Sequence, residues 1–180
     1  MVIHGGACGG GDMADEYLFL LDMKNGESKS NWMIVPCTGA SPGKRYGHTL
    51  VYKKPYIILF GGNSSNELKN DAWVLSIEII PFVWTKISFP SHKQPSPRVY
   101  HSATLCTKGA AAGMMIIFGG RVADPSTISD IWGLTRHSNG KFEWIKAPIK
   151  VKPDDQPTDR HQVAYNYRFS IRDYFWVLIY

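Results

Sequence analysis

The sequence lacks the features that would place it in a membrane, in a helical class or in an oxidising compartment. No apolar run approaches the ~20 residues of a membrane span, and no apolar leader precedes the first motif, so we expect no membrane partner. No window shows the 3.6-residue period of an amphipathic helix. The three cysteines are odd in number and have no CxxC spacing, which favours buried free thiols. Together these absences predict a protein of the cytoplasm or the nucleus.

The chain also lacks a concentrated basic surface. Its formal net charge is +5, but the lysines and arginines are scattered, mostly as single residues. The pair Lys53-Lys54 fits a solvated turn better than a binding face. Because nucleic-acid binding needs basic side chains clustered on one face, we expect no nucleic-acid partner. No P-loop, dinucleotide fingerprint or nucleophile elbow is present either.

What the sequence does contain is a repeat anchored on glycine pairs. Three apolar runs, at residues 2–4, 57–60 and 114–118, each end in two glycines: Gly5-Gly6, Gly61-Gly62 and Gly119-Gly120. The pairs begin 56 and 58 residues apart. An apolar run closed by two glycines predicts a strand followed by a tight turn. We expect this strand to be buried on both faces.

Three further features recur in each period. An acidic residue precedes an aromatic by two positions in Asp15 and Tyr17, Asp71 and Trp73, and Asp130 and Trp132. A lone tryptophan follows, at Trp32, Trp84 and Trp144, and then an arginine, at Arg45, Arg98 and Arg160. Four short strands in a period of about fifty residues are typical of a β-propeller blade. The tryptophans should then fill the outer part of the blade interfaces.

The repeat divides the chain into blade segments of roughly 1–41, 42–94, 95–156 and 157–180, all in one partial propeller over 1–180. The predicted fold class is therefore all-β, with about three four-stranded blades. Closed propellers have about four to eight blades, so three would leave apolar blade faces at both ends. We expect the chain to self-associate, with two chains completing one six-bladed ring.

The glycine pairs, aromatics and tryptophans resemble the kelch repeat over the whole chain. A closer resemblance rests on these segments: Gly5-Gly6-Ala7, Trp32-Met33-Ile34-Val35-Pro36, Arg45-Tyr46-Gly47-His48-Thr49, Arg98-Val99-Tyr100-His101-Ser102-Ala103, residues 113–121, Asp130-Ile131-Trp132-Gly133-Leu134 and Trp144-Ile145-Lys146-Ala147-Pro148. They are similar to the N-terminal kelch region of the kelch-repeat Ser/Thr protein phosphatases of plants and protists. In that family a propeller precedes a metallophosphatase domain. The last arginine segment departs from the pattern, since Arg160 has no histidine three positions later.

The resemblance implies a non-catalytic protein-interaction module that acts in signalling. It would select or position phosphoprotein substrates, or regulate the phosphatase domain. The expected partners are proteins or phosphoprotein peptides. The phosphatase motifs GDxHG, GDxxDRG and GNHE are absent, so the chain should not hydrolyse phosphate itself. It should hold no cofactor, because the two divalent metals of the family belong to the phosphatase domain.

Two alternatives stay open. A kelch-scaffold metalloenzyme of the oxidase type would need a metal site, yet His48 and His101 occupy the same repeat position, which favours hydrogen bonding. A kelch substrate adaptor for ubiquitin ligation would need a BTB-type domain, which these residues do not contain. Asp15, Asp71 and Asp130 recur once per blade, so they should make turn or backbone hydrogen bonds and not a catalytic pair.

The candidate partner-binding residues lie in two sets of loops. Arg45, Arg98 and Arg160 lie in the loops that enter the blades, whereas Asn63 and Arg121 directly follow glycine pairs. In kelch propellers both loop sets lie on one face around the central opening, so converging arginines could bind carboxylates or phosphates bidentately. Alternatively, the recurring arginines brace contacts between blades through backbone carbonyls, and their recurrence favours this role. For Arg121, which does not recur, both interpretations stay open.

Overall fold

The structure, a computed structural model, describes residues 1–8, 13–22, 31–90, 92–124 and 128–148. Within these ranges the fold is all-β, with fourteen strands and one short 3-10 turn at Gly109–Ala111. No helix in the described ranges is long and apolar enough to cross a membrane. The predicted blade segment 157–180, which includes Arg160, lies outside the described residues.

The strands group into three main sheets that follow one another along the chain. The strands are β1 (Val2–His4), β2 (Leu18–Leu21), β3 (Trp32–Val35), β4 (Cys37–Gly39), β5 (Thr49–Lys53), β6 (Tyr56–Phe60), β7 (Asn63–Ser64), β8 (Glu67–Leu68), β9 (Ala72–Ser76), β10 (Phe82–Ile87), β11 (Ser102–Leu105), β12 (Met115–Phe118), β13 (Ile131–Arg136) and β14 (Phe142–Lys146). Sheet 1 has the order β1-β2-β3, sheet 2 the order β4-β10-β9-β6-β5, and sheet 3 the order β11-β12-β13-β14. β7 and β8 form a separate two-stranded hairpin. Apart from β4, each strand of a main sheet pairs antiparallel with its neighbours, as in a blade meander.

β4 lies within the predicted first blade segment, roughly residues 1–41, but it pairs with a strand of sheet 2. The pairing with β10 is parallel, from Cys37 opposite Phe82 to Gly39 opposite Trp84. The Phe82 N–H also donates to the Pro36 carbonyl at 3.0 Å. The chain therefore passes from the outer strand of sheet 1 to the outer edge of sheet 2. The pairing thus joins residues 37–39 to sheet 2, although the predicted first segment, roughly 1–41, includes them.

The apolar core lies between the sheets. One cluster joins sheets 1 and 2, with residues such as Val2 and Val35 packed against Leu59 and Leu75. A second cluster joins sheets 2 and 3, and it contains Ile58, Phe60, Met115, Ile117 and Leu134. Residues 57–60 of β6 are all buried because sheets lie on both sides of this strand. The prediction that the strand before a glycine pair is buried on both faces is confirmed for β6.

The three repeat tryptophans occupy the same register but differ in burial. Trp32 lies opposite Leu21 on the neighbouring strand, as Trp84 and Trp144 lie opposite equivalent leucines. Trp84 and Trp144 are 5% and 4% exposed because each packs against the preceding sheet, whereas Trp32 is 50% exposed. The predicted interface role holds for Trp84 and Trp144. The equivalent face of sheet 1 is not covered by described residues, so the prediction is wrong for Trp32 within them.

The strand register also corrects the grouping of the acidic residues. His4 before the first glycine pair lies opposite Leu18, and Phe60 before the second lies opposite Ala72. Tyr17 is therefore the counterpart of Asp71, and Asp15 lies two residues too early. An additional bridge between Ala7 and Met13 belongs to the longer connection in sheet 1. Counting from the glycines did not reveal this difference in loop length.

Candidate functional site at the loops between blades

Two buried arginines hold the ends of sheets 2 and 3. The Arg45 guanidinium donates to the Asp71 carboxylate at 2.8 and 3.1 Å and to the Gly61 carbonyl at 2.9 Å. Arg98 repeats this arrangement with Asp130 at 2.7 and 3.1 Å, and with the carbonyl of Gly119. The two arginines are only 2% and 0% exposed. Each guanidinium therefore links the turn that follows one strand, at Gly61 or Gly119, to the aspartate that directly precedes the next strand of the same sheet.

The two carboxylates complete these ion pairs with tryptophans. Asp71 accepts the indole N–H of Trp73 at 2.7 Å, and Asp130 accepts that of Trp132 at 2.7 Å. Burial alone would raise the pKa of each carboxyl, but hydrogen bonds and charge from the arginine hold both pKa values below the usual range. The prediction of turn or backbone hydrogen bonds for these aspartates is therefore wrong. Their partners are side chains, and their role is structural.

The main chain of the same arginines joins neighbouring sheets. The Arg45 carbonyl accepts the Gly6 N–H of sheet 1 at 2.8 Å, and the Arg98 carbonyl accepts the Gly62 N–H of sheet 2 at 2.9 Å. A Cβ atom at Gly5 would lie 2.4 Å from the Arg45 carbonyl oxygen, so only glycine permits this approach. The structure thus places Arg45 and Arg98 in the bracing role. Because their guanidiniums are buried and paired, their assignment as partner-binding residues is corrected.

Three buried histidines line the same sheet junctions. The His48 ring hydrogen-bonds to the backbone of His4, and His101 Nε2 lies 2.9 Å from the Thr49 hydroxyl. Burial, with nearby positive charge from Arg45 and Arg98, lowers the pKa of His48 and His101 to about 3. The rings are therefore neutral and structural at neutral pH. Within the described ranges, no three His, Cys, Asp or Glu side chains come together to hold a metal ion.

Asn63 and Arg121 lie at equivalent places in neighbouring sheets. Asn63 exchanges backbone hydrogen bonds with Tyr46 at 2.9 and 3.0 Å, and Arg121 does the same with Val99 at 2.8 and 3.0 Å. The loops entering the sheets therefore pair with the loops that follow the glycine pairs. Arg121 is exposed, and its guanidinium forms no ion pair with a described residue. Asn63 is half-buried, and its Oδ1 accepts no hydrogen bond from a described residue.

Two tyrosines that the sequence analysis did not single out lie between these polar residues. The rings of Tyr46 and Tyr100 are 6.1 Å apart and tilted by 41°. The Tyr100 N–H donates to the Gly47 carbonyl at 2.9 Å. We call the group Tyr46, Asn63, Val99, Tyr100 and Arg121 the rim. A comparison of Arg45-Tyr46-Gly47-His48 with Arg98-Val99-Tyr100-His101 could have found Tyr100, because it stands where the earlier repeat has glycine.

The backbone of Tyr100 is strained. Its φ is 58°, in the left-handed region, and that of its counterpart Gly47 is 62°. This conformation costs a non-glycine residue about 1–2 kcal/mol. A tilted aromatic pair contributes only about 0.5–1.5 kcal/mol beyond its burial, so the contact with Tyr46 at most offsets the strain. The aromatic contact alone therefore gives little reason for a tyrosine at this position.

Comparison with known proteins identifies the family. A model of the KLHDC2/KLHL20/DRC7 Kelch-repeats domain matches residues 1–171. The chain belongs to the kelch-repeat family. Its sheets are kelch blades, and the predicted all-β partial kelch propeller is confirmed. Kelch repeats are generally non-catalytic and mediate protein–protein interaction, so the chain is a protein-interaction module.

The relatives are longer proteins in which the kelch region is one part. The chain is 29% identical to the serine/threonine-protein phosphatase BSL2 of Arabidopsis thaliana, over 91% of the chain and 15% of that protein. It is 28% identical to the F-box/kelch-repeat protein At1g51550 of the same plant, over 85% of the chain and 32% of the relative. For host cell factor 1 of Rattus norvegicus the identity is 32%, over 69% of the chain and 6% of the relative. The chain thus spans about a third or less of these relatives. The predicted resemblance to the kelch region of the Ser/Thr phosphatases is confirmed.

Proposed function

We propose that this kelch module recognises phosphorylated protein segments for a Ser/Thr protein phosphatase, and that Arg121 on the rim binds the phosphate. The similarity to BSL2 over 91% of the chain supports the link with a phosphatase. Hydrolysis, and the two divalent metals that it would use, would then belong to a catalytic domain outside these residues. The module would act in signalling in the cytoplasm or the nucleus.

The exposed guanidinium of Arg121 is the observation that carries the proposal. Arg45 and Arg98 are occupied by aspartates, whereas Arg121 forms no ion pair with any described residue. Its backbone is fixed by two hydrogen bonds to Val99, so the base of the side chain is held in place. A free guanidinium on a fixed backbone suits bidentate binding of a phosphate or carboxylate. Asn63, at the equivalent place on the neighbouring blade, could add an amide contact.

A substitution of Arg121 tests this role. The probe is a degenerate heptapeptide library with phosphoserine or phosphothreonine at its centre, alongside the same library without phosphate. We expect the chain to retain phosphorylated members preferentially. Arg121→Glu should weaken retention about ten- to a hundredfold, because a hydrogen bond to a charged group contributes about 1.5–3 kcal/mol.

Arg136→Glu is the matched control, because Arg136 is also exposed but ends β13 of sheet 3, where it packs over Tyr56 of β6 in sheet 2. It should leave retention unchanged. Equal retention of the two libraries, or equal loss with both variants, would refute phosphate binding at Arg121.

A second candidate function, substrate adaptor for ubiquitin ligation, is favoured by the similarity to an F-box/kelch-repeat protein. An adaptor does not require phosphate on the segment that it binds. Equal retention of the two libraries would therefore favour the adaptor over the phosphatase module. The metalloenzyme alternative receives no support from the described residues, which bring no metal-binding cluster together.

We also propose that the open face of sheet 1 takes part in self-association. This face carries Phe19, Trp32 and Ile34, and the last two are 50% and 59% exposed. On sheet 2 the equivalent face carries Trp73 and Trp84, and it is buried against the preceding sheet. A second chain could cover this face by packing its last blade on it.

Light scattering over a concentration series should therefore show a mass that rises toward that of two chains. Trp32→Lys should lower the association strongly, since it places a charge on the apolar face. Ile79→Lys is the control, because Ile79 is an exposed apolar residue in the bend after β9. A wild-type chain that stays monomeric at high concentration would rule out this form of self-association.

A further inference from the structure

Two successive repeats have different residues at a position where the backbone has a positive φ. Gly47 and Tyr100 occupy equivalent places in the loops that enter sheets 2 and 3, and both have positive φ values, 62° and 58°. Glycine adopts this conformation without strain, and tyrosine does not. The chain therefore carries a bulky aromatic where its own repeat shows that glycine fits.

Because Gly47 has no side chain, there is space beside it for the Tyr100 ring. A Cβ atom at Gly47 would lie 2.3 Å from Val99 Cγ2 and 2.9 Å from Tyr100 Cδ1. The Tyr100 ring thus lies over the bare backbone of Gly47, beside the ring of Tyr46. Tyr100 is nevertheless 36% exposed, so the ring is held at the surface and is not buried in a core. The two rings lie together at the junction of two blades, with Tyr100 exposed and Tyr46 half-buried, and we call them the aromatic shelf.

The shelf is placed next to the two polar loop residues. Tyr46 is backbone-paired with Asn63, and Val99, which directly precedes Tyr100, is backbone-paired with Arg121. Paired residues lie ~5 Å apart and consecutive residues ~3.8 Å apart, so the Arg121 and Tyr100 backbones are within ~9 Å. An extended peptide that rises ~3 Å per residue would cover this distance in about three residues.

We infer that the Tyr46–Tyr100 shelf binds a proline that follows the phosphorylated residue of a partner segment by up to three positions. Aromatic surfaces recognise proline-containing extended peptides, because the proline ring packs flat and its backbone is already extended. With the phosphate on Arg121, the proline would lie on the shelf. This inference rests on the proposed phosphate binding, and it narrows the partner to phosphoserine or phosphothreonine segments with a proline close behind.

The test uses the same phosphorylated library, read by sequencing the retained peptides. We expect proline to be enriched at one of the three positions after the phosphorylated residue. Tyr100→Gly should abolish this enrichment but keep the preference for phosphate. The same variant should leave the melting temperature unchanged or raise it, because glycine relieves the positive φ. Tyr56→Ala, at the start of β6 and so at the opposite end of that strand from the glycine pair, should change neither the proline enrichment nor the preference for phosphate.

The outcomes separate this inference from the proposed function. Retention that favours phosphate without any proline enrichment, or proline enrichment that persists in Tyr100→Gly, overturns the shelf and leaves phosphate binding intact. A fall in the melting temperature of Tyr100→Gly also overturns it, since the tyrosine would then serve the fold. Equal retention of phosphorylated and unphosphorylated libraries overturns the phosphate binding on which the inference rests, and the inference with it.

Discussion

Replacing Arg98 by alanine should lower the free energy of unfolding by about 3–5 kcal/mol, because it leaves the Asp130 carboxylate without its charge partner. The guanidinium is fully buried and donates to Asp130 and to the Gly119 carbonyl. Its loss also removes the partners of these acceptors and opens a cavity. Urea denaturation at neutral pH would measure the effect. A loss of this size is a large part of the ~5–15 kcal/mol that stabilises a typical domain.

Three further variants show whether the ion pair is responsible. Arg98→Lys keeps the charge but loses the planar fork, so it should recover only a minor part of the stability. Asp130→Ala combined with Arg98→Ala should cost less than the sum of the single changes, because no lone charge remains. Arg136→Ala, at an exposed arginine of the same sheet, should lower stability by no more than about 1 kcal/mol, the size of its exposed cation–π contact with Tyr56. Similar losses at Arg98 and Arg136 would contradict the structural role of the pair.

The strands of this fold could be predicted because their signals are local. An apolar run followed by two glycines locates β6 and β12, since few other structures use that combination. The pairing of β4 with sheet 2 was not predicted, because Cys37–Gly39 lies next to β3 in sequence but pairs with β10, more than forty residues later. Asp15 was misaligned with Asp71 for a similar reason, because its position in the repeat depends on the length of the loop before β2.

The candidate site was predictable only in part, because recurrence identifies scaffold residues but not the partners that they contact. Recurrence correctly suggested that Arg45 and Arg98 serve the scaffold, and the unique Arg121 is exposed. The partners of the arginines were missed, because pairing with Asp71 and Asp130 depends on how a chain folds back over about thirty residues. Tyr100 was missed because backbone strain is not visible in a residue's identity. It becomes visible only where a repeat supplies a glycine for comparison.

Acid should lower the stability of the protein as soon as the pH falls below about 6.5, because three buried histidines have lowered pKa values. His4, His48 and His101 have pKa values lowered from 6.5 to about 4, 3 and 3, mainly because burial disfavours the charged ring. In the unfolded chain they titrate near 6.5, so below that pH the unfolded state binds more protons than the folded state. Their contribution is complete above pH 6.5 and is lost progressively as the pH falls toward 4 and 3. Each histidine adds a slope of about 1.4 kcal/mol per pH unit, and three together add about 4.

Unfolding free energies measured between pH 7.5 and 4.5 would show this slope, and His4→Phe tests its origin. Both nitrogens of His4 are buried without a hydrogen-bond partner among the described residues. The equivalent positions before the other glycine pairs hold Phe60 and Phe118, and Phe60 packs edge-on against His101 as His4 packs against His48. Phenylalanine should therefore fit, raise stability at neutral pH and reduce the acid slope by about a third. A slope that stays the same in His4→Phe would mean that His4 is not a source of the acid sensitivity. At the position where sheets 2 and 3 have a phenylalanine ring, sheet 1 therefore has a histidine ring that acid can charge.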